Sequence, residues 1–117
     1  MSRERSRCRE KVLTLLFQKN MGQEVDVDFK DFSPQAQAFG HTLFENALCY
    51  KKFSDEIISR FSKNWRVERI GEVERNILRM AIAEMLSFSD IPHGVTVNEA
   101  VELAKKYVSP EAGRFIN

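Results

Sequence analysis

Apolar residues recur every three to four positions along most of this chain. Period-two alternation is confined to residues 25–29, a stretch too short and acidic to carry a sheet. The pattern predicts an all-α protein. In residues 3–20, Cys8, Val12, Leu15 and Leu16 gather on one side of a helix, with Leu13 and Phe17 on its flank. Arg3, Arg7 and Lys11 fall on the opposite side. Arg5 and Arg9 share the azimuth of the apolar stripe but precede its main part, so they are expected to project past the core or snorkel.

Residues 22–32 contain Gly22, Glu24, Asp26, Asp28 and Asp31 and read as a connecting loop. Ser33-Pro34 then supplies an N-cap and a first-turn proline. The second helix carries Ala36, Phe39, Leu43, Ala47 and Tyr50, widened by Phe44 and Leu48. A third, short helix carries Phe53, Ile57, Ile58 and Phe61, and Asn64-Trp65 closes that hairpin. Residues 67–88 are the most apolar helix, with Ile70, Val73, Ile77, Leu78, Ala81, Ile82 and Met85 covering so wide an arc that neighbours must pack on several sides. This helix is expected to be the central post. Pro92 stops it. Thr96 and Glu99 then read as a capping box, with Val95 and Ala100 as its hydrophobic staple. The next helix buries Val97, Ala100, Val101, Ala104 and Val108, and Ser109-Pro110 repeats the cap signal for a last short helix carrying Ala112, Phe115 and Ile116.

The 117 residues suit one domain with a real core. Only five glycines and three prolines argue against disorder. No apolar run approaches the roughly 20 residues that span a bilayer, and no signal-type segment follows the charged start, so a cytoplasmic location is expected. Cys8 and Cys49 show no pairing pattern, which fits a reducing compartment and predicts no disulfide.

Catalytic chemistry finds little support. His41 and His93 lack the spacing of a metal pair or a nucleophile–base pair, and the two thiols add no CxxC, so neither metal nor cofactor is expected. Gly40, Gly71 and Gly94 are isolated rather than part of a phosphate loop, and Gly71 is expected to relieve crowding between packed helices. Glu72 with Glu74, and Glu99 with Glu102, read as solvated faces or caps.

Charge adds the one distinctive feature. The net charge is +1, yet Arg3, Arg5, Arg7, Arg9 and Lys11 crowd the start against only Glu4 and Glu10. Such a run can simply solubilise a helix start. Its placement is electrostatically poor, because cations at a helix N-terminus oppose the macrodipole at on the order of 0.3–1 kcal/mol each. Arginine forks match phosphate oxygens and stack on bases, so short, local RNA binding is the functional reading. Near-neutral overall charge argues against broad coating of DNA.

Four segments, "RSRCREKVLTLLFQ", "WRVERIGEVERNILRMAIAEM", "DIPHGVTVNEAVELAKKY" and "GRFIN", together resemble the NusB family over most of the chain. The resemblance implies two small helical bundles of about six to seven helices with a short C-terminal helix, in a single domain over residues 1–117. It also implies a non-enzymatic factor in bacterial transcription antitermination. Such a factor binds boxA-type RNA as a heterodimer with the ribosomal protein NusE, within the RNA polymerase antitermination complex on ribosomal RNA operons. The arginine-rich RNA-contacting start falls on Arg5, Arg7 and Arg9, beside Arg3 and Lys11, with Ser6 where another basic residue is usual. Phe17 takes a partner-facing aromatic position where tyrosine is usual, although its helical spacing equally suits the core. Glu74 takes an acidic partner-facing position, with Arg79 a turn later joining the RNA-facing set.

Arg114 and Phe115 match positions close to bound RNA, and Glu111 matches a usual acid; Trp65 and Tyr107 read as core. Family members continue past "FIN", so the last helix is expected to be clipped here. Two other readings stay open: a protein-interaction module or degenerate paralogue without RNA binding, and self-association into a homodimer. A third, the NusB-like domain that fronts ribosomal RNA methyltransferases, finds no room in this length.

Overall fold

The structure is a computed structural model; it describes residues 2–61, 71–109 and Ile116, and all regular elements among them are α-helices. They are α1 (Ser2–Asn20), α2 (Pro34–Cys49), α3 (Lys51–Phe61), α4 (Glu72–Ser87) and α5 (His93–Tyr107). These five, rather than six to seven, are the helices of the described residues. The expected last helix falls on residues 110–117, of which only Ile116 is described, half-buried against the core.

α1 follows its apolar stripe. Cys8, Val12, Leu15 and Leu16 are buried, and the helix stops where the chain needs a positive φ. Gly22 supplies it at 82°, while the Gly22 and Gln23 amides bond back to the Lys19 and Gln18 carbonyls, closing the last turn. The loop that follows is pinned by aromatics despite its acids: Phe29 is buried and meets the half-buried Phe32 edge-on. Ser33 caps α2 as its sequence predicts, its hydroxyl accepting from the Ala36 amide, and Pro34 opens the helix. Glu4 of α1 adds a second tie, accepting from both the amide and the hydroxyl of Ser33 at 2.7 and 2.8 Å.

α4 is the post, packed against α1, α2, α3 and α5. Its hydrophobic side, Ile77, Met80 and Ala83, meets Val12, Leu16, Leu43 and Ala47 in a continuous core. It starts at Glu72 with Gly71 as N-cap, and Glu72 and Glu74 in its first turn suit the positive end of the dipole. Gly71 is therefore not the crowded glycine. That role belongs to Gly40, where a Cβ would lie 2.6 Å from the Phe29 ring and 2.7 Å from Cys8 Sγ. Asn64, Trp65 and residues 67–70 lie outside the described residues.

α5 departs from its expected start. It begins at His93 behind Pro92 and has no side-chain cap, because the Thr96 hydroxyl donates to buried Glu84 instead. Val95 is exposed rather than a staple, and the buried side runs through Thr96, Ala100, Leu103 and Ala104. Val108 is exposed. Tyr107, expected in the core, is also exposed, because its hydroxyl reaches Glu10 at the surface. Among the described residues no helix is long and apolar enough to cross a membrane.

Candidate nucleic-acid interface

The basic start of the chain divides into an outer and an inner set. Arg3, Arg5 and Arg7 are exposed and Lys11 is half-buried. Three of these cations rest on rings supplied by the loop and α2. The Arg5 guanidinium lies 5.3 Å from the Phe39 centroid, Arg7 lies 5.2 Å from Phe32, and Lys11 Nζ lies 5.8 Å from Phe29. Each such contact contributes about 0.5–1 kcal/mol at an exposed site, which for Arg5 and Arg7 offsets their unfavourable position near a helix N-terminus. A side chain already resting on a ring loses less rotamer entropy when an anion docks.

Arg9 belongs to the inner set: it is buried, rather than projecting past the core or snorkelling as expected from sequence. It is 3% exposed, and its Nε and Nη2 donate to the two oxygens of Glu84, itself 1% exposed, at 2.7 and 2.8 Å. Its Nη1 adds a bond to Glu99 at 3.3 Å. Thr96 donates to Glu84 at 2.7 Å and Ser6 to Glu99 at 2.5 Å. The physical reason is azimuth: Arg9 sits over the apolar stripe, and the buried Glu84 carboxylate needs a fork to satisfy both oxygens.

Arg79 is likewise internal. It is 5% exposed and grips Asp55 of α3 through Nε and Nη2 at 2.8 and 2.9 Å. Asn76 accepts from it at 3.4 Å and from Asn20 at 2.8 Å, so this second network ties α4 to α3 and to the end of α1. Arg114, Phe115 and Glu111 lie outside the described residues.

Of the two partner-facing candidates, Phe17 packs toward the start of α4, the element that carries Glu74. Phe17 is half-buried and lines a cleft of about 160 Å3 with Leu13, Val73 and Tyr107, and Glu74 follows Val73 at the start of α4. Cys8 is buried with its Sγ 3.3 Å from the Ala36 carbonyl, and burial pushes its thiol up to about 11, so it behaves as a small core residue. Cys49 is exposed.

Sequence reasoning missed the aromatic supports and the surface group formed by Glu10, Lys106 and Tyr107. Lys106 donates to Glu10 at 2.8 Å and the Tyr107 hydroxyl donates to the same oxygen. These bonds, from Lys106 first and then Tyr107, hold the Glu10 carboxyl below the usual carboxylate range. The available signal was two phenylalanines inside an acidic loop, which have no reason to be there unless something covers them.

The comparisons with known proteins agree with this framework. A transcription antitermination protein NusB from Dictyoglomus turgidum is 74% identical over 117 residues, covering all of this chain and 81% of that protein. The NusB of an Exiguobacterium strain is 40% identical, covering 97% of this chain and 91% of its own length. Among solved structures, Thermotoga maritima NusB superposes with a TM-score of 0.85 at 30% identity, covering 96% of this chain and 84% of that one. A chain from a crystal structure of the antitermination factors NusB and NusE in complex with double-stranded RNA gives 0.80 at 28% identity, covering 99% and 92%. Because the NusB family model also matches residues 6–117, nearly the whole length described above, the chain belongs to the NusB family.

Proposed function

We propose that this protein is a non-catalytic transcription antitermination factor. It binds a short boxA-type RNA, as a heterodimer with NusE, in the antitermination complex that forms on ribosomal RNA operons in the cytoplasm. The observation that carries the reading is the outer cation set. Arg3, Arg5 and Arg7 project from the first two turns of α1, where the helix's own electrostatics disfavour them, and Lys11 continues the set a turn later. Guanidinium groups that lie over aromatic rings, as those of Arg5 and Arg7 do, keep the forked donors suited to phosphate oxygens. The similarity to the chain solved with NusE and RNA supports the same partners here.

Within this reading Arg9 and Arg79 form the frame rather than the contact surface, since their donors are held by Glu84 and Asp55. Phe17 and Glu74 face the protein partner, and Arg114 and Phe115 extend the RNA surface as the resemblance implies. Titration of a labelled boxA-type oligoribonucleotide into the protein, with and without NusE, tests it. Binding that weakens steeply with salt and collapses when Arg3, Arg5 and Arg7 are all changed to Ala supports the reading. Binding to NusE without any affinity for RNA would replace it with a protein-interaction module.

A further inference from the structure

Arg7, Glu10 and Lys11 of α1, Phe32 of the loop, and Lys106 and Tyr107 at the end of α5 line one open depression of about 420 Å3. That volume lies within the range of small-ligand sites, roughly 300–1,000 Å3. Two cation–aromatic pairs border it: Arg7 with Phe32 at 5.2 Å and Lys106 with Tyr107 at 5.4 Å. Tyr107 is 46% exposed, yet its hydroxyl is tethered to Glu10, so the ring is both solvent-facing and fixed. Glu10 is the one anion among these six, and Lys106 and the phenol already bond it. The surroundings are therefore net cationic around an aromatic surface, the combination that recognises single-stranded nucleic acid.

We propose that this depression is a nucleotide subsite of the RNA surface. One base stacks on Tyr107, Arg7 and Lys11 hold the flanking phosphates, and Lys106 exchanges Glu10 for a phosphate as the strand docks. The subsite rests on the RNA reading above and names where one nucleotide of that RNA sits. A protein occupant competes for the same ring, because Tyr107 also lines the cleft beside Phe17. Three cations around the depression favour the polyanion.

Fluorescence anisotropy with a boxA-type oligoribonucleotide, on the full chain alone and with NusE, tests the subsite; thermal unfolding checks each variant's fold. Tyr107→Leu is expected to weaken RNA binding about tenfold, and Tyr107→Phe, which keeps the ring, to recover most of it. Glu10→Gln removes the charged competitor for Lys106 without changing the number of phosphate contacts, so RNA binding is expected to tighten while the log–log salt slope stays close to the parent's. A merely structural role for Glu10 would give the opposite sign. If the parent binds RNA, the triple arginine variant does not, and Tyr107→Leu binds as the parent does, the subsite falls and the RNA reading stands. If Tyr107→Leu weakens only the affinity for NusE, the ring belongs to the protein interface and the subsite is overturned. A parent that ignores the RNA under all conditions overturns both.

Discussion

Arg9 and Glu84 meet fork to fork, 2.7 and 2.8 Å apart at their two contacts, with water excluded from both side chains. The pair joins the N-terminal half of α1 to the last turn of α4, and Thr96 and Glu99 extend the junction to α5. A buried pair contributes little net stability over a well-packed apolar one, but removing one partner strands the other's charge. Arg9→Ala is therefore expected to cost about 3–5 kcal/mol in chemical denaturation, and replacing both residues by Met and Leu clearly less. Arg9→Lys keeps the charge and loses the fork, so it should fall between. If Arg9 is frame rather than contact, Arg9→Lys leaves the salt slope of RNA binding where the parent has it.

Gly40 of α2 sits against Cys8 of α1 and Phe29 of the loop. A methyl group there would lie within 2.8 Å of two Phe29 ring atoms and of Cys8 Sγ. Phe29 also carries Lys11 above its ring, so its displacement disturbs both the core and the outer cation set. Gly40→Ala is expected to cost about 1–3 kcal/mol through overpacking, read as a lower denaturation midpoint. Gly71→Ala, where only the Glu74 carboxylate lies within reach at 3.2 Å, should cost no more than about 1 kcal/mol.

What the chain disclosed in advance was whatever depends on neighbours in sequence. Cys8, Val12, Leu15 and Leu16 fixed the buried side of α1, and Ser33-Pro34 fixed the start of α2, because stripe and cap are local. Thr96 with Glu99 has the same local form and failed, since Glu84, twelve positions earlier and buried, takes the Thr96 hydroxyl. Arg9 failed likewise: its partner lies 75 positions away and no spacing rule connects them. Gly71 and Gly40 look alike in sequence, and only the approach of Phe29 tells the crowded one from the cap. At the candidate site the cations were legible; the rings that hold them, and Tyr107 standing outside the core, were not.

Acid and alkaline stability should respond to two different anchors. The Ser33 amide, and then its hydroxyl, hold the Glu4 carboxyl below its ordinary 4.5, and Lys106 with Tyr107 do the same for Glu10. A carboxyl lowered on folding contributes stability above its unfolded value, and that contribution is lost as pH falls through the folded value. Lys106 and Tyr107 are both raised, chiefly by their bonds to Glu10, from ordinary values of 10.5 and 10.0. Their contribution is complete below those values and is lost as pH rises through the raised ones. Thermal midpoints across pH should show Glu4→Gln flattening only the acid limb below pH 4.5. Glu10→Gln should flatten both limbs. An acid limb unchanged by Glu4→Gln would mean that the Ser33 tie does not form in solution.

Arg7 and Phe17 share α1 but face different neighbours: Arg7 is exposed against Phe32, and Phe17 closes a cleft with Val73 beside Glu74. If the two ends serve RNA and protein separately, their variants must differ in kind and not only in size. Each phosphate contact on single-stranded RNA contributes about 0.7 to the slope of log affinity against log salt. Arg7→Ala should therefore flatten that slope by about this amount in the isolated chain, while leaving the affinity for NusE unchanged. Glu74→Lys reverses a half-exposed charge without opening the core, so the fold should survive it. It should weaken NusE binding by about 1–2 kcal/mol, as expected of a charge placed against a partner's surface. The isolated chain's affinity for RNA should then hold or rise slightly, because a cation replaces an anion. Isothermal titration with each partner in turn separates the cases. A Glu74→Lys variant that binds NusE as the parent does would remove the start of α4 from the protein interface and leave Phe17 as a core residue.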